Sequence, residues 1–433
     1  MSEAITNSEF SSLLKNHSFV FETNPSIAIS FSCGSDSLAL LILMNNWIKK
    51  HKGLLTLIYF DHKLRKESYL ESKYTKEISK KLGIDYKILM WKEKKPNTSI
   101  MQKAREIRYK KIINFCKQNN IMTVMTAHHL DDSLETYYMK KKRNAHTPNL
   151  SGIPFKNTQD QVQILRPFIN FRKSRLIQTC QINKYKWFED PSNQNENYER
   201  VKVRKVIASL SKDKSSKLYS EFKVNSDENK FFEIQLANFF VENLEFNEFG
   251  KFTINKKKFK IQNKSFQIEV LKRLLVTCSG SIYSPRSRSI KFFLDNFFKL
   301  ENVKFTIHSC IIKSSSDKIF IFREYAKTKN FNPKKLIIKK QESLIWDNRF
   351  LINSTFGDIE CYTFNDIFWL KLKNQYKLIK DSQNISYDIL KTLPVLSYKN
   401  QMIIPFLTDK KKMASFGISV SFKPRIPLTK KNF

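Results

Sequence analysis

Between residue 26 and about residue 125 the chain alternates short apolar runs with longer stretches of helical spacing, and this restricts the fold more than any other feature. Runs at 27–31, 54–60, 86–90 and 122–127 have strand length and read as buried strands. Stretches near 36–50, 67–82 and 99–119 carry the spacing of helices. Strand, crossover helix and parallel strand in repetition predict an α/β domain, a parallel sheet with helices on both faces. Ligands of such sheets sit beyond the carboxyl ends of the strands, so the residues just after each run are the first candidates for a site.

After Pro191 the texture changes. Residues 211–225 are polar and rich in Ser and Lys, which predicts a boundary, and 231–244, 266–278 and 289–298 read as amphipathic helices. Runs 305–312 and 318–323, separated by Ser314-Ser315-Ser316-Asp317, read as a hairpin. Short β-rich runs broken by Pro, Asn and Lys fill the rest, without a clear internal repeat. A chain of 433 residues exceeds one ordinary core. The expected division is an α/β domain at 1–211, a helical middle domain at 212–300 and a small β-rich domain at 301–433.

The 77 Lys and Arg against 40 Asp and Glu give a net charge of +37, which favours polyanionic partners such as nucleic acid or acidic lipid. Abundant Lys, Asn, Ile and Phe with only 8 Gly also match A/T-biased codon usage, so charge alone does not choose the partner. Six scattered cysteines, Cys33, Cys116, Cys180, Cys278, Cys310 and Cys361, form no C-x-x-C pair, which argues against a zinc ribbon or iron–sulfur site of recognisable spacing. The longest apolar runs, such as 38–44, are too short to cross a bilayer, and residues 1–17 hold no apolar signal segment. A soluble, cytoplasmic protein without a membrane partner is expected.

The strongest local signal is Ser30-Phe31-Ser32-Cys33-Gly34-Ser35-Asp36-Ser37-Leu38, between the first strand and the first helix. Hydroxyls and a glycine at such a turn suit a phosphate, with backbone N–H groups and the positive helix end converging on it. A serine-rich turn with Ser35 or Asp36 as a simple helix cap explains the same residues. Ser32 to Ser37 resembles the S-G-G-x-D-S loop of the ATP pyrophosphatases, with Cys33 where that family usually has its first glycine.

Three further segments narrow the resemblance. Asp61-His62-Lys63-Leu64-Arg65 is similar to the D-H-x-L-R element of the lysidine synthetases, and Ala104-Arg105-Glu106-Ile107-Arg108-Tyr109 to their A-R-x-x-R-Y element. Thr126-Ala127-His128-His129-Leu130-Asp131-Asp132-Ser133-Leu134-Glu135-Thr136 resembles their T-A-H-H-x-D-D-x-x-E-T signature. Taken alone, these residues also read as a solvated basic face and as a capping-box-like pair of Asp132 with Glu135. Gly152, Arg166-Pro167, Asp190-Pro191-Ser192-Asn193, Arg200 and Arg204 match the end of that family's catalytic domain, with Val201 where an asparagine is usual. Around residues 346–350 and 422–428 the likeness is weaker.

The resemblance implies an adenine nucleotide alpha-hydrolase-like fold and a ligase that adenylates the wobble cytidine of tRNA(Ile) with anticodon CAU, then couples lysine to C2. It implies ATP on Ser32, Cys33, Gly34, Ser35, Asp36, Ser37, His62 and Arg65, with Mg2+ at Asp36. Asp36, Asp132, Glu135, His128 and Arg108 are the expected catalytic residues, with lysine on Asp132 and Glu135. Arg105, Arg200 and Arg204, the basic runs 140–143, 256–258 and 410–412, and the β-rich C-terminal domain are the expected tRNA contacts. A homodimer is one assembly left open. The alternatives are another ATP pyrophosphatase acting on tRNA, or a catalytically inactive RNA-binding protein on the same scaffold, suggested by Cys33 and Val201.

Overall fold

The computed structural model describes residues 3–16, 21–63, 68–93, 100–143, 150–189, 195–299, 303–331, 335–382 and 385–429. A short helix, α1 (Asn7–Asn16), precedes the alternating region. There β1 (Ser26–Phe31), α2 (Ser35–Lys50), β2 (Leu54–Asp61), α3 (Ser68–Leu82), β3 (Asp85–Met90), α4 (Ile100–Gln118) and β4 (Thr123–Met125) follow one another. Then come α5 (Leu130–Lys142), a hairpin of β5 (Lys156–Gln159) and β6 (Val162–Leu165), α6 (Lys173–Ile182), α7 (Glu199–Ala208) and the long α8 (Lys212–Asn243).

Six strands form one sheet in the order β3-β2-β1-β4-β6-β5, parallel except for β5, which runs antiparallel to β6. Neighbouring residues of β1 point to opposite faces, as the two-residue period requires. Ile27, Ile29 and Phe31 enter a core with α1, α2 and α6, while Ala28 packs with Ile112, Ile113 and Cys116 of α4. Two apolar layers on one strand explain why β1 reads as an unbroken apolar run.

From β1 the chain steps outward to β2 and β3 and then returns to place β4 on the other side of β1. The strand order therefore reverses between β1 and β4, which opens a crevice beyond their carboxyl ends. The segments leaving those two ends are Ser32-Cys33-Gly34 and Thr126-Ala127-His128-His129, and each opens a helix.

The chain divides into two compact units, Met1–Phe232 with 431–433, and Glu233–Lys430. From Lys212 onward the polar segment is helical instead of a linker, because its Lys, Ser and Glu residues, without Gly or Pro, permit α8 to run through it.

In the second unit a five-stranded antiparallel sheet, ordered β7-β8-β11-β10-β9, combines β7 (Leu244–Phe246), β8 (Phe252–Asn255), β9 (Lys304–Ile307), β10 (Cys310–Ser314) and β11 (Lys318–Arg323). Between β8 and β9 lie α9 (Lys256–Lys260), α10 (Lys264–Ser279) and α11 (Ser287–Phe297). The run expected as one strand at 305–312 is two, since His308 and Ser309 both take positive φ, 48° and 61°, and turn the chain back. After α12 (Tyr325–Phe331) come β12 (Lys335–Ile338), β13 (Ser343–Trp346), β14 (Phe350–Ser354), β15 (Ile359–Thr363), α13 (Asp366–Ser382) and α14 (Tyr387–Leu390). The last elements are β16 (Pro394–Tyr398), β17 (Gln401–Ile403), α15 (Lys410–Ser415) and β18 (Ile418–Phe422). They build a four-stranded sheet β12-β15-β16-β17 and a three-stranded sheet β13-β14-β18.

Residues 346–350 form the tight turn of the β13–β14 hairpin, with Asp347 and Asn348 both at positive φ. The buried Asp347 carboxylate accepts from Arg323 Nη2 at 3.0 Å and from Arg349 Nε at 2.7 Å. This motif is a structural pin of the second unit. Among the described residues no helix is long and apolar enough to cross a membrane.

Candidate active site

The turn after β1 is shaped for an anion. Gly34, with no side chain to cap, is the N-cap of α2 in an extended conformation, so Ser35 and Asp36 open the helix and neither caps it. First-turn N–H groups thus face the crevice, where the helix end favours negative charge. Ser37 Oγ accepts from Ser32 N at 3.2 Å and donates to Gly34 O at 3.1 Å, which holds the loop closed on itself.

Cys33 takes φ of 60°, the left-handed region where glycine is at ease, and this is where a glycine would be favoured. Its thiol points into the core, donating to Glu71 O of α3 at 3.3 Å, and burial pushes the thiol pKa up to about 12. The side chain therefore stays out of the loop mouth. Val201 is likewise buried, on α7.

Helix α5 begins with a reciprocal cap. His129 is its N-cap, and its Nδ1 accepts from Asp132 N at 3.4 Å while Asp132 Oδ2 accepts from His129 N at 3.0 Å. The capping box is thus His129 with Asp132, not Asp132 with Glu135. His129 Nε2 also stands 3.6 Å from Asp36 Oδ2 and 3.5 Å from Asp132 Oδ2, so the phosphate loop and the acidic helix meet at this ring. Burial opposes the imidazolium, but the hydrogen bond with Asp36 and the charges of Asp132, Asp36 and Asp131 outweigh it and raise the His129 pKa. Burial would by itself raise Asp36, yet His129, Lys173 and the Ser35 hydroxyl hold its carboxyl below the usual value.

The acidic pair is paired with arginines from α7. Arg200 donates from Nε to Glu135 at 2.6 Å and from Nη2 to Asp132 at 2.7 Å. Arg204 Nε donates to Glu135 at 2.6 Å. The Glu135 side chain is 4% exposed and that of Asp132 15%, so Asp132 is the more open of the two. Asp131 serves the scaffold, accepting from Arg172 Nη1 at 2.7 Å and from Lys173 N at the start of α6 at 2.8 Å.

A second, positive group surrounds His128. Its Nδ1 shares a hydrogen bond of 2.9 Å with Thr126 Oγ1. Burial first, then the charges of Arg166, Arg105, Arg108 and Arg200, drive its pKa well down, so the imidazole is neutral. Arg105 and Arg108 both lie over the Tyr109 ring, at 5.2 and 5.4 Å. Among the described residues, the Nε atoms of Arg108 and Arg166 are buried and have no hydrogen-bond partner. An anion seated here would meet donors already stripped of water.

His62, just beyond β2, packs edge-on against Phe60 at 4.7 Å. Arg65 and residues 190–193 lie outside the described residues. The basic run 140–143 is largely committed within the first unit: Lys140 donates to Ser151 O, Lys141 pairs with Glu221 and Arg143 with Glu199. In the second unit Lys257 pairs with Asp317 and Lys410 with Glu248.

Among the described residues no group of three or more His, Cys, Asp or Glu side chains is arranged to hold a metal ion. An Mg2+ ion that arrives with a nucleotide needs only one or two protein carboxylates, because phosphate oxygens and water complete its octahedron. Asp36, at the loop mouth and about one-third exposed, fits that demand.

Sequence reasoning singled out Asp36, Arg105, Arg108, His128, Asp132, Glu135, Arg200 and Arg204, and all of them lie in the first unit. It missed His129 and Asp131, which stand inside the quoted motif. The signal for His129 was its position just before the periodic part of α5, where a side-chain acceptor caps a helix.

A family model described as PP-loop domain matches residues 2–210. The chain is similar to a tRNA(Ile)-lysidine synthase of Rickettsia akari (strain Hartford), 30% identical over 92% of this chain and 93% of that protein. It is similar to another of Rickettsia bellii (strain RML369-C), 31% identical over 91% and 92%. One of Orientia tsutsugamushi (strain Boryong) is 28% identical over 95% and 96%. Among solved structures, the U34-tRNA thiolase NcsA from Methanococcus maripaludis superposes with a TM-score of 0.44 at 17% identity, covering 50% of this chain and 77% of that one.

Proposed function

This chain belongs to the tRNA(Ile)-lysidine synthase family, ATP-using ligases that modify tRNA, and we propose that the crevice between β1 and β4 carries both halves of the reaction. ATP lies with its phosphates on Ser32 to Ser37, and His62 and Arg65 attend the nucleotide. Asp36 takes Mg2+, which when bound neutralises charge building on the phosphate oxygens.

The wobble cytidine of the CAU anticodon turns its C2 carbonyl oxygen toward the α-phosphorus. That oxygen forms the new P–O bond as pyrophosphate leaves, giving an adenylated base. Free lysine then attacks C2 through its ε-amino nitrogen, the C2–O bond breaks, AMP departs and the amine loses a proton. Asp132 and Glu135 hold the lysine ammonium and steer it, and the more open Asp132 is placed to accept the proton. Arg108 and Arg105, with the neutral His128, face the adenylated base and its phosphate. Arg200 and Arg204 contact tRNA from α7 while tied to the acidic pair.

We assign residues 1–211 to catalysis and the second unit, Glu233–Lys430, to tRNA recognition; the expected division at 300/301 does not hold, because one sheet joins β7 and β8 to β9, β10 and β11 across it. The observation that carries the reading is the meeting of Asp36 and Asp132 on one imidazole ring, because the reaction needs triphosphate and amine at a single cytidine. The inactive-scaffold alternative loses its motive, since Cys33 and Val201 both bury their side chains. Pyrophosphate release from ATP that requires an unmodified tRNA(Ile) transcript is the expected result. Release equally fast without tRNA, or none with it, overturns the proposal.

A further inference from the structure

The roles assigned above leave His129 unused, although it touches both halves of the site. We infer that His129 is a positioning residue that fixes the phosphate-loop carboxylate against the acidic pair, an inference that rests on the functional reading above. Its Nδ1 accepts the Asp132 N–H, so in the neutral ring the proton is on Nε2. That Nε2 stands between Asp36 Oδ2 and Asp132 Oδ2, at 3.6 and 3.5 Å. Asp36 belongs to the first turn of α2 and Asp132 to the first turn of α5, so one N–H links the two elements that flank the crevice.

The ring has little freedom to leave. His129 is 3% exposed, and its backbone N–H and Nδ1 are both engaged with Asp132. The neighbouring charges have other partners: Asp131, whose Oδ2 also stands 3.7 Å from His129 Nδ1, accepts from Arg172 and the Lys173 N–H, and Asp132 Oδ1 accepts from Arg200. Lys173 Nζ reaches Asp36 Oδ2 only at 3.9 Å. Contacts near 3.5 Å are longer than closed hydrogen bonds, as in sites that tighten once substrate is bound. On this account His129 holds the metal-binding carboxylate and the amine-binding carboxylate at the separation that both half-reactions need.

A cap-only role makes a different forecast. Asparagine is among the best N-caps, so His129→Asn keeps the acceptor for the Asp132 N–H but is too short to link the carboxylates. His129→Gln carries an amide N–H at roughly the reach of imidazole Nε2. The full chain and both variants are compared in melting temperature, in Mg-ATP affinity by equilibrium dialysis, and in lysidine formation on a tRNA(Ile) transcript. His129→Asn should melt with the parent, bind ATP about tenfold more weakly and form lysidine about 10²-fold more slowly at saturating substrates. His129→Gln should recover most of that rate, and if it fails to fold for want of a cap, the Asn comparison decides alone. Parent-like rate and affinity in folded His129→Asn, or no recovery in folded His129→Gln, overturns the inference. Should the parent itself make no lysidine, the functional reading fails separately. The ATP arm then still decides: weaker binding in His129→Asn supports the positioning role, and equal binding refutes it.

Discussion

Glu135→Gln tests the electrostatics of the amine site. The Glu135 side chain accepts from Arg200 Nε and Arg204 Nε, both at 2.6 Å, and Asp132 accepts from Arg200 Nη2 at 2.7 Å. Two carboxylates and two guanidiniums thus form a neutral set. The Arg204 hydrogen bond to Glu135 outweighs burial and keeps that guanidinium firmly charged. Glutamine preserves the shape but removes one charge and turns an N–H toward a guanidinium donor. Breaking a buried pair costs about 3–5 kcal/mol. Arg200 and Arg204 are 36% and 40% exposed and rehydrate in part, so about 1–3 kcal/mol is the expected loss of stability. The set also gains a net positive charge, which repels a lysine ammonium at about 6 Å by about 2–3 kcal/mol at an effective dielectric constant of about 20. At about 1.4 kcal/mol per tenfold change this raises KM for lysine roughly 10²-fold. Initial rates of lysidine formation against lysine concentration, with ATP and tRNA saturating, read this directly, and lysine-independent pyrophosphate release should change little. An unchanged KM for lysine, or an equal loss in pyrophosphate release, refutes the reasoning.

Asp36→Asn removes the loop carboxylate and the partner of His129, and pyrophosphate release should fall by about 10²–10³-fold without loss of the folded state; release at the parent rate contradicts the assignment. Cys33 is buried with its pKa near about 12, so native protein treated with iodoacetamide should keep its activity and yield no Cys33 adduct until it is unfolded. His128 has its folded pKa lowered, mainly by burial and then by the nearby arginines. The unfolded chain therefore binds a proton that the folded chain refuses, and stability present above about pH 6.5 is lost as pH falls below it. His128→Gln should flatten the fall in melting temperature between about pH 6.5 and 5, and parallel curves for parent and variant would show that the ring is not held neutral.

The centre of the sheet was legible because β1 and β2 are covered on both faces, so they appear as apolar runs that no charged residue interrupts before Asp61. Among the three crossover helices, α3 and α4 keep apolar positions among Lys and Glu, whereas α2 is a nearly continuous apolar run buried on most sides, too long for a strand. The interrupted strand at 305–312 was not, because His308 and Ser309 lack the Asn-Gly or Asp-Gly pair that usually marks such a turn. The end of α8 was legible as the helix at 231–244, but its first half hid behind a polar surface, where serine and lysine resemble a linker by composition. In the site, short-range pairs such as Asp132 with Glu135 could be read from spacing. The links that assemble them could not: His129 to Asp36 spans two separate elements, and Arg200 to Glu135 joins residues 65 positions apart. The sequence marked Cys33 as standing in a glycine position, but neither its left-handed backbone nor the inward direction of its thiol, which leaves the loop mouth open, could be read from it.

The most direct test of the whole account is the mass of tRNA(Ile) before and after incubation with this protein, ATP and lysine. The account predicts a gain of one lysine less one water, confined to the wobble cytidine of the CAU anticodon and dependent on both ATP and lysine. An unchanged mass, with the tRNA bound and the protein folded, would contradict it.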